Sequence, residues 1–65
     1  MSNLIKFHYQ NGNPVLINCD FIQEVTGSEI GSVIVVKREE NGEFVKHIIT
    51  TPINETIRLI EEAKK

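Results

Sequence analysis

Val33, Ile34, Val35 and Val36 stand in unbroken succession between Ser32 and Lys37. Side chains on a strand alternate between its two faces, and β-branched residues favour strands, so this run implies a strand that is apolar on both sides. The requirement is demanding in a chain of 65 residues. A domain of this size buries only about 60% of its unfolded surface and has few elements with which to cover two faces of a sheet.

The neighbouring segments supply the rest of a small sheet. In Leu4 to Tyr9, Ile5, Phe7 and Tyr9 alternate with Lys6, His8 and Gln10, the period-2 pattern of a half-buried strand. Asn11-Gly12-Asn13 provides residues that accept positive φ, and Pro14 follows where a ladder N–H is dispensable, so the chain turns back into a second strand over Val15 to Asn18. Asn18-Cys19-Asp20 reads as a bend or single helical turn, because Asn and Asp side chains bond nearby backbone amides. Phe21 to Thr26 is a third strand, and the loop from Gly27 to Ser32 ends it. Ser32 to Arg38 is the fourth strand and the most interior one. Asn41-Gly42 lies between two apolar runs, a strong hairpin signal that pairs the fourth strand with a fifth over Glu43 to Thr50.

A helix is expected to begin at Pro52, which suits the first helical position, with Thr51 as N-cap and Glu55 complementing the dipole. On a 100° wheel Ile53, Thr56, Ile57, Ile60 and Ala63 form one stripe and Leu59 sits at its margin. The expected fold class is therefore α+β: one domain over residues 1–65, with a small antiparallel sheet of four to five strands, meander-like or curled, followed by one C-terminal amphipathic helix. One helix covers one sheet face. The second face of Val33, Ile34, Val35 and Val36 then requires curling, a second copy of the chain or another protein, and a homodimer is favoured over a curled monomer.

Composition bounds the function classes. Apolar residues form 40% of the chain and charged residues 25%, as in globular proteins. Cys19 is the sole cysteine, so no internal disulfide framework exists, and a reducing cytoplasmic setting is expected. No signal-peptide pattern occurs at the start and no stretch approaches the ~20 apolar residues of a membrane span, so no membrane partner is expected. The glycosylation-like triplet Asn54-Glu55-Thr56 falls inside the expected helix and is read as coincidence.

Seven basic residues against nine acidic ones give a net charge of −2, without the basic stripe that phosphate contacts favour. A local nucleic-acid surface would have to use Lys6, His8, Lys37, Arg38 and Lys46, with Glu39, Glu40 and Glu43 cancelling part of the field. Phe7 and Tyr9, the aromatic candidates for base stacking, share the apolar face of the first strand and are assigned to the core.

No constellation for catalysis or metal binding is legible. Cys19, His8 and His47 are too few and too separated for zinc, and Cys19 beside Asp20 lacks the base that activates a thiol. Glu39-Glu40 and Glu61-Glu62 are read as solvated charge, and Gly27 and Gly31 lack the Lys-Ser/Thr ending of a phosphate loop. No cofactor and no metal are expected.

The order of turns and strands, together with Asn18-Cys19-Asp20-Phe21-Ile22 and the closing Ile57-Arg58-Leu59-Ile60-Glu61-Glu62, resembles the small FlbD-like flagellar and swarming proteins. The resemblance spans nearly the whole chain and rests on turn positions and apolar periodicity. This sequence has Asn18-Cys19 where that pattern has Asn-Pro, and a longer last hairpin. The resemblance implies an accessory protein and carries no catalytic residue. The expectation is thus a non-enzymatic protein-interaction or accessory module whose candidate surface is Val33, Ile34, Val35 and Val36. A small sheet-based nucleic-acid-binding protein is the alternative.

Overall fold

The computed structural model describes residues 3–38 and 40–64. Five strands, β1 (Leu4–His8), β2 (Pro14–Asn18), β3 (Ile22–Gly27), β4 (Ser32–Lys37) and β5 (Phe44–Ile49), precede one helix, α1 (Ile53–Ala63). All pairings are antiparallel. The expected single sheet is divided: β1–β2 form a two-stranded sheet and β3–β4–β5 a three-stranded one. Their backbones are linked where β1 ends, through a bridge between Tyr9 and Ile49 and a hydrogen bond from Thr50 N–H to the His8 carbonyl at 3.0 Å.

Both Asn-Gly turns work by the same local chemistry. Gly12 and Gly42 hold φ of 90° and 73°, which L side chains adopt at a cost, and the preceding asparagine caps the turn. Asn11 Oδ1 accepts from Asn13 N–H at 2.9 Å, and Asn41 Oδ1 accepts from Glu43 N–H at 3.0 Å. Between β2 and β3 the chain makes a single 3-10 turn over Cys19–Phe21, capped by Asn18 Oδ1 accepting from Asp20 N–H. Phe21 belongs to that turn and not to the third strand.

The core is enclosed by the inner faces of both sheets and by α1. Ile5, Phe7, Ile17, Cys19, Ile34 and Ile49 are buried, with Val25, Val36, Leu59, Ile60 and Ala63 among the residues packed against them. Strict alternation from Ile22 would drive Glu24 into this core. A bulge between Ile22 and Glu24 absorbs one residue, so that Ile22 and Val25 both face inward and Glu24 stays in solvent.

Two helix expectations are corrected. Pro52, not Thr51, occupies the position before the first helical residue; its carbonyl accepts from Thr56 N–H at 2.9 Å. Thr51 is drawn off because its carbonyl accepts from the Ser32 hydroxyl at 2.6 Å. The buried stripe is centred on Thr56, which is 0% exposed, and this brings Leu59 into the core and leaves Ile57 45% exposed. On the opposite side Arg58 pairs with Glu55 and Glu62, so the Glu55 carboxyl titrates below its ordinary range. Among the described residues no helix is long and apolar enough to cross a membrane.

Candidate interaction face and its surroundings

The four successive apolar residues of β4 are divided between two environments. Ile34 is fully buried and Val36 packs against the core, whereas Val33 and Val35 point to the opposite, outer face and are half-buried there by their neighbours. Only two of the four candidate surface residues therefore lie on a surface.

The pairing register extends that surface across three strands. Val33 pairs with Thr26 and Ile48, Val35 with Glu24 and Lys46, and Lys37 with Phe44. Directly paired residues share a face. The outer face thus holds Val33, Val35, Ile48 and Phe44, flanked by Glu24, Thr26, Lys37 and Lys46. The hydrogen bond from Thr26 Oγ1 to Glu24 Oε2 at 3.3 Å confirms that those two side chains lie together. Phe44 is 63% and Ile48 49% exposed, unusual for large apolar side chains grouped on one face. Helix α1 packs on the core side and leaves this face uncovered. Beyond Ile48, an open hollow lined by Tyr9, Gln10, Asn11 and Ile30 continues the apolar surface, with Ile30 41% exposed.

Phe44 and Ile48 were not anticipated from the sequence, although a signal exists. In Phe44-Val45-Lys46-His47-Ile48-Ile49 both phases are largely apolar, and Lys46 settles which phase is outward, because a lysine ammonium is almost never fully buried.

The basic candidates do not converge. Lys6 and His8 lie exposed on the outer face of β1–β2, beside Leu4 and Leu16, whereas Lys37 and Lys46 lie on the three-stranded sheet. Arg38 follows β4, where its N–H donates to the Glu43 carbonyl at 2.8 Å and holds the hairpin closed. Glu24, Glu40 and Glu43 stand exposed around them, while Glu39 of the expected acidic pair lies outside the described residues.

The two histidines are in different environments. His8 is exposed, and His47 is half-buried on the inner side, where Tyr9 stacks on it with ring centroids 5.9 Å apart. Tyr9 Oη lies 2.7 Å from His47 Nδ1. Partial burial, and then the Arg38 charge, lower the His47 pKa from 6.5, and the ring tautomer sets which partner donates in the Tyr9 bond. Cys19 is buried at 1% exposure, a thiol placed for packing. Among the described residues no group of three or more His, Cys, Asp or Glu side chains is arranged to hold a metal ion.

The arrangement offers a three-stranded surface of apolar side chains interleaved with charges, of the kind that packs against another sheet or a helix. Comparison with protein-family models, with curated proteins and with solved structures gave no match.

Proposed function

We propose that this protein is a non-enzymatic interaction module that works through the outer face of β3–β4–β5. The observation that carries the reading is the grouping of Phe44 and Ile48, 63% and 49% exposed, with Val33 and Val35 on one uncovered sheet face. Scattered apolar residues are ordinary on protein surfaces, but here four stand on one face with Glu24, Lys37 and Lys46 interleaved among them, a mixed apolar and charged surface suited to an interface. The FlbD-like resemblance, with its implication of an accessory protein, is in keeping with this role. We place the protein in the reducing cytoplasm, on the strength of its single, unpaired cysteine.

A photo-crosslinking amino acid placed at Phe44 tests the reading in living cells, with the same probe at Ile57 on α1 as the comparison site. Adducts of discrete mass from position 44 that are absent from position 57 support it. Adducts from neither position contradict it.

A further inference from the structure

The charges on the outer face form an ordered row. Glu24 on β3 and Lys46 on β5 both pair with Val35, so they flank it on either side in one cross-strand line. Neighbouring strands are about 4.8 Å apart, and stacked sheets lie about 10 Å apart, a gap that Glu and Lys side chains span. A rotation of 180° about an axis lying between two such faces and parallel to β4 exchanges the two sides of the sheet. It carries Lys46 over Glu24 and Glu24 over Lys46, while Val35 meets Val35 and Val33 meets Val33. The other in-plane two-fold axis, perpendicular to the strands, would set Glu24 on Glu24 and Lys46 on Lys46. The charge row therefore fits its own copy in one orientation and repels it in the other.

We propose that the outer face of β3–β4–β5 packs against the same face of a second copy of this chain, about a two-fold axis parallel to β4, with Glu24 of each protomer against the partner's Lys46 around a Val35–Val35 centre. The inference rests on the reading of this face as an interaction surface and names its occupant. The result is a β-sandwich assembled from two three-stranded halves, with the strands of the two sheets within about 30° of alignment. It also answers the demand posed by Val33 to Val36, since the inner phase is covered within the chain and the outer phase by the copy. Lys37 is the one unfavourable member: it lies on β4 with Val33 and Val35, close to the axis, and faces its own copy.

Charge exchange tests the geometry, with solution mass by light scattering as the readout across a wide concentration range. The wild-type chain is expected to reach a dimer mass. Glu24→Lys and Lys46→Glu each place like charges at both crossings and should raise the dimer dissociation constant about tenfold or more. The double variant, carrying both exchanges, restores opposite charges and the dimer. An equimolar mixture of the two single variants does so too, because the first then presents lysines to glutamates of the second. Lys37→Ser should tighten the dimer. Glu24 and Lys46 are both exposed, so circular dichroism of every variant should match wild type.

A wild-type monomer throughout the range overturns the second copy. If the position-44 probe still gives discrete adducts in cells, the interaction reading stands with a different occupant; if it does not, both fall. Single variants that dimerise like wild type, or a double variant and a mixture that remain monomeric, overturn the proposed axis.

Discussion

The Ser32 hydroxyl donates to the Thr51 carbonyl at 2.6 Å and lies 3.0 Å from Thr56 Oγ1. One fully buried side chain thus ties the first residue of β4 to the first turn of α1 and to the residue before Pro52. With the Ser32 proton committed to Thr51, the Thr56 hydroxyl donates to Ser32 Oγ and, at 3.3 Å, toward the Thr51 carbonyl. Every polar atom in the cluster is satisfied, as the low dielectric of an interior demands.

Ser32 is the hub, so Ser32→Ala should destabilise by about 1–3 kcal/mol, since it removes the two shorter bonds of the cluster and leaves Thr56 and Thr51 only their 3.3 Å bond to each other. Thr56→Val keeps the volume and leaves the Ser32–Thr51 bond in place, and should cost less. Urea denaturation of both variants checks the order; an equal or larger loss for Thr56→Val would show that the helix hydroxyl carries the clamp.

Gly31 is limited by space and Gly12 by conformation. A Cβ at Gly31 would lie 2.5 Å from the Ile49 carbonyl oxygen and 2.5 Å from the Thr50 carbonyl carbon, backbone atoms that cannot swing aside. Gly12 has no atom within 4 Å but holds φ of 90°. Gly31→Ala should therefore cost about 2 kcal/mol or more, and Gly12→Ala about 1–2 kcal/mol. Thermal denaturation distinguishes them by the larger fall in midpoint for Gly31→Ala.

Adjacent residues of β4 should respond oppositely to a polar substitution. Ile34→Ser places a hydroxyl in the core and removes buried methyl groups, a loss of about 3–5 kcal/mol, enough to unfold a small domain. Val35→Ser, on the outer face, should leave the fold intact at low concentration, with a loss of about 1 kcal/mol or less. Near-ultraviolet and far-ultraviolet circular dichroism report both outcomes. Unfolding by Val35→Ser in dilute solution would mean that the outer face is part of the core.

His47 confers a pH dependence with a definite sign. Its folded-state pKa lies below 6.5, by partial burial first and the Arg38 charge second. The unfolded chain therefore binds more protons in the window between the lowered value and 6.5, and stability rises with pH across it. The contribution is fully present above pH 6.5 and is lost as pH falls through that window. His47→Gln should flatten this part of a stability profile measured by denaturant titration between pH 5 and 8, and an unchanged slope would contradict it.

How much of this was legible in the sequence depends on how local each cause is. The five strands and both Asn-Gly hairpins follow from neighbours within a few residues, and each strand boundary lies close to where turn chemistry puts it. The inward placement of Phe7 with Ile5 follows from alternation in the first strand. Division of the sheet does not, because it depends on long-range pairing: β1 meets β5 at the single Tyr9–Ile49 bridge and not along a ladder. In α1 the buried stripe takes in Leu59 and leaves Ile57 45% exposed. Thr56 belongs to the expected stripe, but its place at the centre does not follow from hydrophobicity: the Ser32 hydroxyl draws it inward. In β4 the two phases of Val33 to Val36 are chemically alike, and only Lys37 at the end of the strand marks Val33 and Val35 as the outer pair.

The outer face of β3–β4–β5 is tested most directly by hydroxyl-radical footprinting of Phe44, first in dilute purified protein and then in intact cells. The account predicts ready oxidation of Phe44 in dilute solution, as befits 63% exposure, and strong protection in cells, while the exposed Leu16 on the other sheet is oxidised equally in both. Phe44 oxidised as readily in cells as in dilute solution would contradict it.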